Sequence, residues 1–369
     1  MTTSMTLPLW YDLHVHLRQG ENMSVYIQAQ LDMGCAGVLA MPNTKPPVGK
    51  VLESDPVDGY WSIENYMGQI MDAGGTAFKS VITPLYLTKD TSAEMIKNGA
   101  ASGMLKACKY YPPHGTTNAD HGSPLAGFID NGVFQAMSDA GVVLCIHGEE
   151  HGTTGVDYFD ADHNAEKNFY LNEMPALRAA FPDLKIVCEH ITTKEAVSFV
   201  KSSSDNIAAT VTPQHLLYTV GHLVQGLKYH LYCLPLVKFD ADRDAIRNAV
   251  TDPDNTKFFA GTDSAPHTTK ATPCGCAAGC FTGGVAPQLY AQAFEEAGLD
   301  LNDTHAQKSF EKFLCLNGPQ FYGLDIPEET FTLMRVESDV ETLQCGSESV
   351  TPLPLGLGMN TIAWSIKRS

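Results

Sequence analysis

The chain has 369 residues, 44% of them hydrophobic, which is ample for a large core, and α/β barrels reach this length as a single domain. No apolar run approaches the ~18 residues of a membrane span, and a net charge of −18 excludes a basic nucleic-acid footprint, so neither partner is expected. An anionic ligand would need a local positive field, which metal ions supply. Met1–Thr6 lacks the charged and apolar regions of a signal peptide, and ten cysteines, several in apolar runs (Cys145, Cys188), suit reduced thiols. A cytoplasmic location is the expectation.

Taken in order, short apolar runs of strand character alternate with amphipathic helical stretches. The first strand, Leu9–His14, leads into Asp12-Leu13-His14-Val15-His16. Residues two apart in a strand share a face, so His14 and His16 can present two imidazoles side by side, a natural grip for zinc. A helix over Met23–Met33 precedes the strand Gly37–Met41, which is followed by Asn43. Helices at Ser62–Ala73 and Ser92–Asn98 bracket the strand Ala77–Ile82, and Gly103–Lys109 ends on a lysine. Lys106, of opposite parity to Lys109, reads as outward and solvated. Prolines and glycines exclude helix from the loop Tyr110–Pro124, which reads as a lid with Thr116 and Thr117 at its centre.

The helix Asp130–Ala140 leads to the strand Val142–His147, and Ala165–Phe181 to Lys185–His190. Thr193–Ser202 then precedes Asn206–Val211, an irregular segment spans Thr212–Leu234, and the helix Asp240–Val250 precedes the strand Lys257–Ala260, with Asp263 just beyond. Cys274-Gly275-Cys276 and Cys280 lack a fourth ligand at zinc-knuckle spacing, so a Gly/Ala-rich loop with incidental thiols is favoured over a structural zinc site. Helices at Gln288–Ala297 and Thr304–Leu316 are followed by a tail, Thr330–Arg368, with strand-like pieces.

Eight strands alternating with helices predict an α/β fold with a parallel sheet, closed as a (β/α)8 TIM-type barrel with a C-terminal appendage. The whole chain reads as one domain, with the barrel over about 7–325 and the extension over about 326–369. A doubly wound open sheet is the alternative; no Gly-x-Gly-x-x-Gly follows a strand to support it. His14, His16, Asn43, Lys109, His147, His190 and Asp263 all fall where strands stop, and in a barrel these positions meet at the C-terminal rim. Four histidines, an aspartate and a lysine are too many for one open zinc site and suit two. A protonated lysine has no lone pair to give, but a neutral amine that captures CO₂ becomes a carboxylate-like carbamate able to bridge two metals.

The ordered set Asp12-Leu13-His14-Val15-His16-Leu17-Arg18, Met41-Pro42-Asn43-Thr44, Lys109-Tyr110-Tyr111-Pro112, Ile146-His147-Gly148-Glu149, Glu189-His190-Ile191-Thr192-Thr193 and Gly261-Thr262-Asp263-Ser264-Ala265-Pro266-His267 resembles the amidohydrolase superfamily. Within it, the chain is similar to the monofunctional bacterial-type dihydroorotases, through Asn317-Gly318-Pro319-Gln320-Phe321-Tyr322-Gly323 and more loosely through the tail. The resemblance implies a homodimeric enzyme of pyrimidine biosynthesis that reversibly closes N-carbamoyl-L-aspartate to L-dihydroorotate at a binuclear zinc centre with a bridging hydroxide. It implies that His14, His16 and Asp263 hold one Zn²⁺, that His147 and His190 hold the other, and that carbamylated Lys109 (N6-carboxylysine, from CO₂) bridges them. Asp263 would be the acid–base group. Arg18, Asn43 and His267 would bind the substrate carboxylate, Leu234 and Ala277 would meet the ring through backbone groups, and Thr116 and Thr117 would close over it. An apparent one-residue insertion in Cys276-Ala277-Ala278-Gly279-Cys280 leaves Ala277 and Ala278 as alternatives. The competing readings are another cyclic-amide hydrolase, such as a dihydropyrimidinase or allantoinase, whose substrates lack that carboxylate, and an inactive relative serving as a scaffold.

Overall fold

Eight parallel strands, most of them buried on both faces, form the centre of the structure, a computed structural model that describes residues 3–273 and 275–368. Cys274, the first thiol of the Cys-Gly-Cys loop, lies outside the described residues. In Trp10–Val15 all six residues are buried, as are all those of Cys35–Ala40, Ala107–Tyr110 and Val143–His147. Double burial makes these strands read as continuous apolar runs rather than as alternations. One set of side chains, including Tyr11, Leu13, Leu39, Val143, Val187 and Phe259, fills the barrel interior. The opposite set, with Val38, Leu144, Ile186 and Val211, packs outward in the main core with apolar residues of the helices.

The order around the barrel is Trp10–Val15, Cys35–Ala40, a third strand in two pieces (Ser80–Ile82 and Leu85–Tyr86), Ala107–Tyr110, Val143–His147, Ile186–Glu189, Ile207–Val211 and Phe258–Ala260. The third strand breaks at Thr83-Pro84 because proline has no N–H for the ladder. Its first piece pairs with the second strand and its second piece with the fourth. Beyond the eighth strand, Ser264 bridges Val15 in parallel, Asp263 N–H donates to His14 O (2.8 Å) and His16 N–H donates to Ser264 O (3.0 Å). These bonds return the eighth strand to the first at the rim where the histidines lie.

Three expected helix starts are N-caps. The side chains of Ser62, Ser92 and Thr193 accept from the N–H groups of Asn65, Met95 and Ala196, bonds worth about 0.5–2 kcal/mol each. The helix expected over Asp130–Ala140 is two, Leu125–Asp130 and Val133–Ala140, divided at Gly132 with φ 80°. Ala165–Phe181 runs through a π-turn at Phe169–Glu173. The third and fourth strands begin later than expected, because Gly75–Ala77 forms a 3-10 turn and Gly103 a left-handed one; Lys106 is exposed, as expected. No helix interrupts the described loop between Tyr110 and Leu125, whereas the segment expected to be irregular after Thr212 holds short helices at Pro213–Leu217 and Val220–Val224.

Outside the barrel, Thr330–Met334 is the centre of a three-stranded antiparallel sheet between Ser4–Pro8 and Ser365–Arg368. Leu7, read from sequence as barrel, therefore belongs to this outer sheet.

Candidate active site

The strand ends bring the six expected ligands to one buried place. His14 lies within the first strand and His16 one residue beyond it, their ring centres 5.7 Å apart. His147 ends the fifth strand and His190 follows the sixth; the His190 ring lies 4.8 Å from that of His147 and 4.9 Å from that of His14. Asp263 Oδ1 is 2.9 Å from His16 Nε2 and 3.5 Å from His14 Nε2. Lys109 is fully buried in the fourth strand, its Nζ 4.9 Å from the centre of the Tyr111 ring.

Several of these residues hold backbone that side chains rarely adopt. Arg18, His190 and Asp263 have φ of 58°, 40° and 48°, the left-handed region that clusters at functional sites. Each is tied down. Tyr66 Oη donates to Arg18 O (2.7 Å), His190 N–H donates to Thr210 Oγ1 (2.7 Å), and Asp263 N–H bonds the first strand.

Burial disfavours a charged imidazole, so it holds His16 at about 4 and His190 well below its usual range, leaving lone pairs to offer a metal. Burial likewise pulls the Lys109 amine down, toward the neutral form that carbamate chemistry requires. Burial pushes Asp263 up, but the His16 hydrogen bond and the neighbouring imidazoles outweigh it, and the carboxyl sits at about 2. The ligand atoms of His14, His16 and Asp263 all lie within 4.8 Å of one another, the one such group of three among the described residues. Lys109 Nζ and His190 Nδ1 are buried without a hydrogen-bond partner beside it. Neutral imidazoles, an ionised carboxylate and unpaired buried nitrogens suit divalent cations.

Two carboxylates that the sequence reading left without a role orient the imidazoles. Glu189 Oε2 meets His14 Nδ1 at 2.6 Å, leaving Nε2 on the Asp263 side, and Glu149 Oε2 meets His147 Nε2 at 2.7 Å. Such partners fix the tautomer and rotation of a ligating histidine. Asp12 accepts from both the N–H (2.9 Å) and the hydroxyl (2.6 Å) of Thr262, clasping the first strand to the segment that carries Asp263. Glu149 lies two residues from the histidine it orients, a spacing visible in the sequence, whereas Glu189 adjoins His190 but orients His14.

Beside this centre is a small, narrow cleft lined by His16, Arg18, Asn43, Thr116, Thr117, Leu234, Asp263, Ala265, Ala278 and Gly279. His267 stands behind it, its Nε2 3.1 Å from Arg18 Nη2 and 2.8 Å from Ala278 O. The loop after the fourth strand covers the cleft. Asn43 Nδ2 donates to Thr117 O (2.9 Å), Asn118 Nδ2 to Asn43 O (2.9 Å) and Thr117 Oγ1 to Ala278 O (3.3 Å). Ala277 does not line the cleft, because its N–H and carbonyl are both bonded to Lys270; Ala278 does. Gly279 is required here, since with φ 141° an added Cβ would lie 2.7 Å from Ala265 Cβ and 2.9 Å from His267 Nε2. Cys280 is buried and Cys276 half-buried, and no group of three metal-ligating side chains forms at their loop among the described residues.

No family model matches the chain. It is 39% identical over 369 residues to the dihydroorotase of Vibrio vulnificus, covering 99% of this chain and 100% of that protein. The crystal structure of a dihydroorotase from Saccharomyces cerevisiae in complex with 5-fluoroorotic acid superposes with a TM-score of 0.84 at 26% identity, over 100% of this chain and 99% of that one. A dihydropyrimidinase from Brevibacillus agri, 11% identical with a TM-score of 0.68 over 92% of this chain and 78% of that one, shares the fold.

Proposed function

The chain belongs to the dihydroorotase family, and from that premise we propose how its own residues carry the reaction. It is a cyclic amidohydrolase that interconverts N-carbamoyl-L-aspartate and L-dihydroorotate in pyrimidine biosynthesis, and its family is metal-dependent. We assign one zinc ion to His14, His16 and Asp263, a second to His147 and His190, and the bridge between them to carbamylated Lys109. The neutral imidazoles and the buried, unpaired Lys109 amine support this assignment. When bound, the cations supply Lewis-acid polarisation and a water that is acidic at neutral pH.

Arg18 offers a planar fork to the substrate carboxylate, with Asn43 and His267 beside it. Leu234 and Ala278 present backbone to the ring, while Thr116 and Thr117 keep bulk water out. In hydrolysis, a carboxylate oxygen of Asp263 takes the proton of the attacking water and passes it to the departing ring nitrogen. In synthesis the same oxygen receives the proton of the attacking ureido nitrogen and returns it to the departing carboxylate oxygen, which takes a second proton from solvent and leaves as water.

The observation that carries this reading is the juxtaposition of Arg18 with Asp263 and His16 in one cleft, an anion-binding corner beside a hydrolytic centre. Dihydrouracil has no carboxylate for that corner. Initial rates on the purified protein should favour L-dihydroorotate over dihydrouracil by at least ~10²-fold in kcat/KM, as when a site's buried polar groups lose their partner. Equal rates would overturn the assignment of the corner. We propose further that barrel and extension act as one domain, supported by the pairing of Ser4–Pro8 with Thr330–Met334, and that the protein is a cytoplasmic homodimer. The described cysteines, all free thiols, support that location, and exposed Val224, Leu227 and Tyr229 offer apolar surface for a second copy.

A further inference from the structure

Two backbone segments contribute to the cleft's lining, and one side chain gathers them. Lys270 is 7% exposed, and its ammonium donates to three carbonyls: Tyr232 O (2.8 Å), Ala277 O (2.6 Å) and Gly279 O (2.5 Å). An ammonium has three N–H donors, so all are used. The acceptors lie on two segments far apart in sequence, 232–234 and 277–279, which also meet directly through Gly279 N–H to Tyr232 O (3.0 Å). These segments supply Leu234, Ala278 and Gly279 to the cleft.

In a trans peptide the carbonyl and the following N–H point opposite ways. With Ala277 O and Gly279 O turned to Lys270, the N–H of Ala278 faces away from the amine. The carbonyl between them, Ala278 O, meets His267 Nε2 and accepts from Thr117 of the lid. A buried lysine is a poor choice for stability alone, since burial penalises the charge and apolar packing fills such space at less cost.

We propose that Lys270 is a positioning and specificity-determining residue: by holding Tyr232 O, Ala277 O and Gly279 O, it sets the backbone wall that meets the substrate ring and latches the Thr117 lid. This rests on the assignment of the cleft as the dihydroorotate site.

Lys270→Met keeps the length and removes all three donors. Its KM for dihydroorotate should rise by about tenfold or more, with kcat within about threefold of the parent, the pattern of lost binding common to ground and transition states. Bound metal per chain should be unchanged. Thr117→Val, made in both backgrounds, should raise KM in the parent and much less in Lys270→Met, because the latch is already loose. A KM within twofold of the parent, or full multiplication of the two effects, overturns the proposal. Should Lys270→Met not fold, Lys270→Arg keeps the charge but spreads its donors over a planar fork instead of converging them from one nitrogen on the three carbonyls. It should show a smaller rise in KM with kcat retained, and an unchanged KM overturns the proposal equally. Failure of the parent protein to turn over dihydroorotate would instead sink the reading of the cleft.

Discussion

Arg18 combines a left-handed backbone, a carbonyl held by Tyr66 and a guanidinium flanked by His267 and Pro266 O. Its value lies in the fork, which pairs with both oxygens of a carboxylate where an ammonium offers a single point charge. Arg18→Lys should therefore raise KM for dihydroorotate by about tenfold or more with metal content retained; unchanged kinetics in steady-state assay would remove Arg18 from the site. Asp263 stays ionised at neutral pH, held at about 2, so it is ready to accept a proton. Asp263→Asn deletes that capacity and should lower kcat by at least ~10²-fold. Near-normal turnover by a correctly metallated variant would refute its role. That the six residues expected as ligands would meet was legible, because each lies at or near a strand's end and carries ligand chemistry. Their orienting carboxylates were not. Glu189 adjoins His190 in sequence yet bonds His14, and Asp12 meets Thr262 across the closing seam. Lys270 gave no sign either, since nothing local says which carbonyls a buried ammonium will meet.

At the level of elements, the expected strands and helices hold to within a few residues, because apolar runs and Ser/Thr caps are local signals. Breaks inside elements, at Pro84 and Gly132, were harder to place, since a lone proline or glycine marks a boundary without saying whether the element resumes. The turn after the sixth strand depends on a more distant partner. Glu166, in Ala165–Asn168, accepts from the N–H and hydroxyl of both Thr192 and Thr193, two and three residues past His190. Burial raises its carboxyl from 4.5 to about 7, against the lowering by Lys238 and those hydrogen bonds. The folded state thus holds a proton that the unfolded chain releases above 4.5. Its stabilising contribution is complete below pH 4.5 and disappears as pH rises through about 7. At ~1.4 kcal/mol per pH unit, this is a change of about 3 kcal/mol. Glu166→Gln fills the same place with a group that does not titrate, its amide donating to the Thr192 hydroxyl. Relative to this variant, the parent should lose stability steadily between pH 5 and 7.5 in urea denaturation; a difference that stays flat with pH would show that Glu166 is charged throughout.

Across the whole molecule, the candidate centre draws on the first, fourth, fifth, sixth and eighth strands, so it joins residues from both sides of the Pro84 break and of the Val15–Ser264 seam. Among the described residues the seam is crossed by the Asp263–His14 and His16–Ser264 backbone bonds, the Asp12–Thr262 clasp and the contacts of Asp263 with His14 and His16. A cation held by His14 and His16 on one side and Asp263 on the other would add cross-links where the ladder is thinnest. Binding that is confined to the folded state stabilises it by mass action, about 2.7 kcal/mol at a hundredfold excess over Kd. For a chain of this length each kcal/mol moves Tm by roughly 2 °C. Protein stripped with a strong chelator should therefore unfold several degrees lower than the same sample with zinc restored, and it should lose cyclisation of carbamoyl-aspartate in parallel. Thermal melts and a cyclisation assay on one preparation check both. If stripped protein melts with the untreated sample and still closes the ring, the six residues at the barrel rim do not hold the cations that this chemistry needs.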